Sequence, residues 1–298
     1  MITNLNIPVT VPLILQTTDI VYGQRPYWSN TGIQHLKLSL LRPRFHFGYD
    51  SQKDIRPLVI WLCGGGWTEV DHNIWLPQLL HLAEQGYVVA SVGYSLAPNR
   101  FFPEQLKDIK RAIRYLRAHA DEYGIDPERV AVMGESAGGH LAAMAAVTGN
   151  LPQFRTPDDS GFSDAVKCAV PYYPCVDMMD YDGRSDPDSY ETRHQVLMKG
   201  EFTPQGLLGG IARPWADERA AAMDPRSYIG PDTPPFLILH GTADSIVPIH
   251  HSEALYQALG EAGVSARFLR VTGADHADWR FYQPEVKRQV LEFLKENL

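Results

Sequence analysis

Three residues far apart in the sequence carry the side chains of a nucleophile, a base and an orienting acid. Ser136 lies in the run GESAG, which matches G-x-S-x-G and stands between an apolar run and an Ala-rich helical stretch. In that setting the pattern predicts a nucleophile elbow, a sharp strand-to-helix turn that exposes the serine hydroxyl. The alternative is a glycine-rich turn whose serine only caps the helix.

A serine hydroxyl is a poor nucleophile near neutral pH, so Ser136 needs a base, and the base needs an acid that orients it. Asp244 follows the apolar run PFLILHG, and His276 follows the next such run, ARFLRVTG. Because all three residues come just after predicted strands, we expect them to meet at one edge of a parallel sheet.

Four other histidines compete with His276 for the role of base: His140, His240, His250 and His251. We expect His250 and His251 to cap a helix or face solvent, and His140 to pack beside the nucleophile. His240 precedes a turn glycine and is expected to support the loop of Asp244.

Three consecutive glycines, Gly64 to Gly66, follow the apolar run PLVIWLC. A triplet is costly, because glycine loses more backbone freedom on folding than any other residue. Attack by a serine on a carbonyl creates an oxyanion that needs N–H donors aimed at it. We expect one donor from Ala137, directly after the nucleophile, and the others from the glycine loop. The alternative is a flexible turn.

Short continuous apolar runs alternate with helical patterns after Pro57, as strands buried on both faces of a parallel sheet require. Leu106, Ile109, Ile113 and Leu116 fall on one helical face. The alternation predicts an α/β fold with a doubly wound, mostly parallel sheet, as one domain over residues 1–298. The runs are PLVIWLC, YVVASVGY, RVAVMGES, KCAVPYYP, PFLILHG and ARFLRVTG.

One segment, from about 176 to 233, breaks this alternation and is rich in Asp, Pro, Gly and Met. We expect a cap insertion of helices and loops over the strand ends, where ligands of open α/β sheets bind. Within it, DMMDYDGRSDPDS superficially resembles a calcium loop. It lacks the twelve-residue ligand pattern and its final Glu, so we interpret it as a solvated loop.

Composition argues against several functions. A net charge of −8 disfavours binding to nucleic acid or to anionic membranes, and no run is long enough to span a membrane. The three cysteines, Cys63, Cys168 and Cys175, lack metal-ligand spacing, as do Asp275 and Asp278. No Lys or Arg precedes residue 25, which argues against a signal peptide. We expect a cytoplasmic protein without metal or cofactor, and leave a homo-oligomer open.

From about Pro57 onward the sequence resembles the α/β-hydrolase superfamily, which also has the chain order Ser, Asp, His. Its relatives there are the hormone-sensitive-lipase-like carboxylesterases and the acetylxylan/feruloyl esterase-like (BD-FAE-type) hydrolases. We favour the latter branch because of two features, the form of the cap and the block FFPEQLKDIKRAIRYLRAHADEYGIDPERV. The resemblance rests on CGGGW, SLAPNRFFPEQLKDIKRAIRYLR, GESAGGHLAA, PPFLILHGTADSIVP and GADH. It implies Ser136 as nucleophile, Asp244 as acid, His276 as base, and Gly65, Gly66 and Ala137 as oxyanion hole.

Two positions depart from the family pattern. Cys63 stands where the family usually has a His that braces the oxyanion loop, and a cysteine cannot make the same hydrogen bonds. Ser95 stands where relatives often carry an Arg, so the contacts of that Arg are either absent or replaced.

The resemblance implies a serine carboxylesterase that cleaves short-acyl or aryl esters of small molecules, acetyl or feruloyl esters of sugars among them, through an acyl-enzyme. We expect substrate contacts from Trp67, Glu135, Tyr173 and Trp215, with core packing as the alternative for the aromatic residues. An arylformamidase-like amide hydrolase is the main rival. A peptidase of the prolyl-oligopeptidase type would need a propeller, and a hydrolase-like receptor would have lost a triad member.

Overall fold

The computed structural model describes residues 2–8, 10–27, 31–45, 55–97, 99–157, 161–178 and 220–298. Within them, eight strands form one sheet in the order β1-β2-β4-β3-β5-β6-β7-β8. The strands are β1 Leu13–Pro26, β2 Ile33–Arg44, β3 Arg56–Leu62, β4 Val88–Val92, β5 Ile125–Glu135, β6 Cys168–Tyr172, β7 Phe236–Gly241 and β8 Ala266–Val271. The first two pair antiparallel, β2 also pairs antiparallel with β4, and every later pairing is parallel.

Helices cover both faces of this sheet. They are α1 Leu76–Glu84, α2 Glu104–Ala118, α3 Ala120–Tyr123, α4 Ala137–Val147, α5 His250–Glu261 and α6 Pro284–Asn297. Along β3, Leu58, Ile60 and Leu62 pack with α2, α4 and α5, whereas Val59 and Trp61 pack with α1 and α6. This alternation follows from the two-residue period of a strand. The predicted doubly wound, mostly parallel α/β sheet is therefore confirmed.

Helix α4 lies unusually close to the strands. All of its residues are buried, and apart from His140 they are apolar, so the helix is not amphipathic. A Cβ atom on Gly138 would fall on the carbonyl oxygen of Leu62, and one on Gly139 would come within 2.5 Å of that of Tyr172. These glycines let the N-terminus of α4 rest on the ends of β3 and β6.

A guanidinium does reach the neighbourhood of Ser95, but it comes from β1. Arg25 Nη2 lies 2.5 Å from Asp108 Oδ1 and also contacts Glu104. The other oxygen of Asp108 accepts the Ser95 amide at 3.0 Å. Because Asp108 is fully buried, the pair fastens β1 and α2 to the end of β4.

The predicted cap falls mainly on residues 179–219, which lie outside the described residues, as does Trp215. The segments flanking it are joined, since Arg226 Nη2 lies 2.8 Å from Asp177 Oδ2. The single-domain organisation with its cap stays a prediction. No helix in the described ranges combines the length and the apolar character that crossing a membrane would require.

Candidate active site

Ser136, Asp244 and His276 lie together at the carboxyl edge of the sheet, just after β5, β7 and β8. His276 Nε2 is 2.9 Å from Ser136 Oγ, and His276 Nδ1 is 2.8 Å from Asp244 Oδ2. A carboxylate only accepts, so Nδ1 carries the proton and Nε2 is free to accept from the serine hydroxyl. The three side chains can therefore pass a proton from serine to imidazole.

The backbone at Ser136 has the form of a strained turn. Its φ of 54° and ψ of −121° lie outside the regions that residues with side chains usually occupy. The Ser136 amide donates to the Tyr172 carbonyl at 3.0 Å, and the Ser136 carbonyl accepts the His140 amide at 2.9 Å. These bonds hold the serine between β5 and α4. The turn is therefore more than a helix cap, and no side-chain cap bond is present.

Asp244 is held by both of its carboxylate oxygens. Oδ1 accepts the amides of Ile246 at 3.0 Å and Val247 at 2.8 Å. Oδ2 faces His276 and also lies 3.2 Å from His240 Nε2. Burial alone would raise the pKa of Asp244, but the hydrogen bonds from the two histidines hold it well below its usual range.

His240 occupies the supporting position that its place before a turn glycine predicts. Its Nε2 donates to the Val247 carbonyl at 2.8 Å, which fixes the proton on that nitrogen. Its Nδ1 then accepts from the Ser252 hydroxyl at 2.6 Å. The ring thus ties the loop of Asp244 to helix α5.

Asp275 has a positioning contact that sequence reasoning missed. Its Oδ1 accepts the Ser245 amide and hydroxyl, both at 2.8 Å, and the His276 amide at 2.7 Å. Slight burial opposes these bonds, yet they lower the pKa of Asp275. The side chain joins the loop that carries the acid to the loop that carries the base. Only its place beside His276 could have suggested this.

The glycine loop after β3 is a fixed structure. Gly65, Gly66 and Trp67 have φ values of 111°, 54° and 65°, a left-handed run that favours glycine. The Gly65 carbonyl accepts the amides of Thr68 and Glu69 at 3.1 and 3.0 Å. A Cβ atom on Gly65 would fall on the Glu69 carbonyl oxygen. These contacts are typical of an ordered loop and not of a flexible turn.

The amides expected to form the oxyanion hole belong to Gly65, Gly66 and Ala137. Between described residues, no hydrogen bond uses the N–H of Gly65, Gly66 or Ala137. The Gly64 amide is different, because it donates to Glu135 Oε1. Ala137 is the first residue of α4, so its N–H belongs to the positive end of the helix dipole.

Trp67, Glu135 and Tyr173, which we expected to contact substrate, pack among protein groups. Trp67 is 2% exposed and meets the His140 ring edge-on, with centroids 5.4 Å apart. Tyr173 is fully buried, with its ring 4.7 Å from that of His276. Glu135 is 6% exposed and lies under the glycine loop. Contact of these side chains with substrate stays a prediction.

Trp75 is a further side chain at the site that sequence reasoning missed. Its Nε1 donates to Glu135 Oε1 at 3.1 Å, and its ring stacks on Tyr282 with centroids 4.9 Å apart. Burial raises the pKa of Glu135, while the bonds from Gly64 and Trp75 oppose that rise by stabilising the charged form. Sixty residues separate Trp75 from Glu135 in the chain, so no local pattern connects them.

Clusters of metal-binding side chains are absent from the part of the chain that the structure describes. No cluster of three or more His, Cys, Asp or Glu side chains is arranged there to hold an ion. Cys63, Cys168 and Cys175 are buried, and burial raises the pKa of the Cys63 thiol to about 12.

Comparison with known proteins gives a consistent result. The family model described as BD-FAE matches residues 48–259. The probable carboxylic ester hydrolase LipM of Mycobacterium tuberculosis is 33% identical over 68% of this chain and 44% of its own length. Esterase LipQ of the same organism is 31% identical over 88% of this chain and 57% of its own length. The chain thus spans about half the length of these curated relatives.

Solved structures share the fold. A bifunctional GH43-CE protein of Bacteroides eggerthii superposes with a TM-score of 0.74 over 95% of this chain and 38% of its own, at 23% identity, which shows the fold alone. Esterase 2 of Thermogutta terrifontis phosphorylated by paraoxon superposes with a TM-score of 0.68 at 25% identity, covering 94% of this chain and 92% of its own.

Proposed function

This chain belongs to the BD-FAE family of α/β-hydrolase proteins, and on that premise we propose that it is a serine carboxylesterase. The hydrogen-bond chain from Ser136 Oγ through His276 to Asp244 is the observation that carries the proposal. The names of the relatives, carboxylic ester hydrolase and esterase, support the same reaction class. Paraoxon phosphorylates the Thermogutta esterase, which accords with nucleophilic chemistry on this fold.

In the first half-reaction, His276 Nε2 takes the proton from Ser136 Oγ while that oxygen bonds to the ester carbonyl carbon. Asp244 stabilises the resulting imidazolium and holds its tautomer. The carbonyl oxygen becomes an oxyanion, which we assign to the amides of Gly65, Gly66 and Ala137. When the tetrahedral intermediate collapses, the carbon–oxygen bond to the alcohol breaks and His276 gives its proton to the leaving oxygen.

The second half-reaction repeats this sequence with water. His276 removes a proton from water as its oxygen attacks the acyl carbon bound to Ser136. Collapse of the second intermediate breaks the bond to Ser136 Oγ, which regains a proton from His276, and releases the carboxylic acid. No step calls for a group that the chain does not supply.

We propose short-acyl or aryl esters as substrates, with acetyl or feruloyl esters of sugars as the preferred class. Family membership supports this choice, and a neighbouring structure described as a carbohydrate esterase from gut microbiota shares the fold. The curated relatives also include enzymes named isoprenylcysteine methylesterases, so the family name alone does not select the alcohol. A panel of substrates that differ in acyl group and leaving group therefore tests the choice.

The first experiment compares the wild type with Ser136→Ala on p-nitrophenyl acetate, p-nitrophenyl octanoate, acetylated xylo-oligosaccharides and N-formyl anilide. We expect the wild type to cleave p-nitrophenyl acetate faster than the octanoate. We expect kcat of Ser136→Ala to be at least about 10⁴-fold lower, because the nucleophile is gone. A folded wild type that cleaves only the formyl amide would replace the esterase by an amide hydrolase. A variant that keeps its rate would remove Ser136 from the mechanism.

A further inference from the structure

Two residues outside the triad connect the glycine loop to the turn that carries the nucleophile. We propose that Trp75 and Glu135 are positioning residues that together hold the glycine loop at the correct distance from Ser136. This inference rests on the proposed function and assigns the bracing role that Cys63 cannot perform. It concerns the placement of the oxyanion donors and adds no group that touches substrate.

The first step in the argument is the position of Glu135. It immediately precedes Ser136, so its backbone is part of the turn that presents the nucleophile. Its carboxylate accepts the amide of Gly64, the first glycine of the loop. The glycine loop is therefore tied to the nucleophile's own turn. A Cβ atom on Gly64 would come within 2.5 Å of Glu135 Oε1, so a side chain there would push the two apart.

Trp75 fixes the same carboxylate oxygen from a second direction. Its indole N–H donates to Glu135 Oε1 at 3.1 Å, so two donors converge on one atom. Two directional bonds restrict rotation of the carboxylate more than one does. The Glu135 side chain is nearly fully buried, so removing one of its hydrogen-bond donors costs free energy that water cannot restore.

The indole is itself held in place by its neighbours. Trp75 directly precedes α1, which anchors its backbone. Its ring stacks on Tyr282 at an interplanar angle of 19°, and Tyr282 ends the short 3₁₀ turn that begins at Trp279, shortly after His276. One contact chain therefore joins the loops that follow β3, β5 and β8, which carry the proposed oxyanion donors, nucleophile and base.

Cys63 takes no part in this connection. Its Sγ lies 3.9 Å from Ser91 Oγ. Its carbonyl accepts the Tyr94 hydroxyl at 2.8 Å, which holds the backbone at the end of β3. The side chain at position 63 thus leaves the glycines to be fixed through Glu135.

The test uses Trp75→Phe, which keeps an aromatic ring for Tyr282 and removes the five-membered ring with its N–H donor. We expect kcat on p-nitrophenyl acetate, per active site titrated with paraoxon, to fall about tenfold, because misplaced donors weaken transition-state stabilisation. KM should change less than twofold. Ser136 Oγ adds to the carbonyl carbon of phenyl trifluoromethyl ketone and gives its proton to His276, so the hemiketal places an oxyanion on the same donors. The inhibition constant of this ketone should rise by the factor that kcat/KM loses.

The matched control is Tyr115→Phe. It also removes one part-buried hydrogen bond, 3.0 Å long to Tyr123, but on α2 and away from the triad. Its kcat should equal that of the wild type even if its melting temperature falls. A double variant then tests the route of the effect. In a Glu135→Ala background, Trp75→Phe should change kcat less than twofold, because the indole acts through the carboxylate.

Hydrogen exchange at the Gly64 amide gives a readout that does not depend on activity. Exchange should be about tenfold faster in Trp75→Phe than in Tyr115→Phe. Unchanged exchange and unchanged kcat in Trp75→Phe would overturn the inference while leaving the esterase intact. An inert wild type together with an inert Ser136→Ala variant would instead remove the proposed function, and the exchange result would still decide whether Trp75 braces the loop.

Discussion

The acid–base side and the oxyanion side of the site are held by different kinds of contact. Around Asp244 and His276, carboxylates accept backbone amides within the same two loops, and Asp275 does so at the surface. Around Gly65 the backbone itself is left-handed, and a buried carboxylate, Glu135, reaches it from another strand. One side is assembled by local polar contacts and the other by close backbone packing.

This difference predicts how each side fails. A local hydrogen bond can be lost or replaced while the surrounding loop keeps its shape. A backbone without room for a Cβ atom cannot accept one without moving. Side-chain chemistry should therefore decide the rate on the acid–base side, and the path of the main chain should decide it on the oxyanion side.

The largest effect should come from Asp244→Asn. The amide oxygen can still accept from Ile246 and Val247, so the loop should keep its shape. The amide nitrogen would face His276 Nδ1 and favour the tautomer that cannot take the Ser136 proton. We expect kcat on p-nitrophenyl acetate to fall about 10⁴-fold with little change in melting temperature. A loss below tenfold would break the comparison, because it would take Asp244 out of the proton path.

A smaller loss, about 10² to 10³-fold in kcat, should follow from Gly65→Ala. The new Cβ atom would fall on the Glu69 carbonyl and push the loop away from the oxyanion. Gly263→Ala is the matched control, since Gly263 also has a positive φ, 73°, but open space around it. Equal kcat values for the two variants would contradict the prediction, because displacing the glycine loop would then have no effect beyond that of backbone strain elsewhere.

The smallest effect should come from Asp275. Asp275→Ala removes the acceptor shared by Ser245 and His276, and we expect about a tenfold lower kcat. Asp275→Asn keeps one acceptor oxygen and should restore the rate to within about twofold of the wild type. If the asparagine variant were as slow as the alanine variant, the charge of Asp275 would matter rather than its hydrogen bonds.

Much of the architecture was predictable because its signals are local. Each of the six apolar runs after Pro57 became a strand, from β3 to β8, and GESAG fell at the turn between β5 and α4. Position at a strand end was sufficient to predict that Ser136, Asp244 and His276 would lie close together. Such patterns need only a few neighbouring residues to be informative.

The contacts that fine-tune the site were not predictable in this way. Trp75 contacts Glu135, which lies sixty residues later in the chain, and Arg25 of β1 forms an ion pair with Asp108 of α2. Side-chain direction decides such contacts, and sequence spacing does not report it. Burial is similarly hidden, because no local pattern reports that Tyr173 is fully buried with its ring 4.7 Å from that of His276.

The ion pair between Arg25 and Asp108 also bears on where this family's unit can be cut. The segment that matches the family model, residues 48–259, includes Asp108 but not Arg25 or His276. A fragment with those ends would keep a buried carboxylate without its counter-ion, an arrangement that costs about 3 to 5 kcal/mol. It would also lack the proposed base. The segment that matches the family model is therefore not an independent module, and grafting it elsewhere requires both flanks.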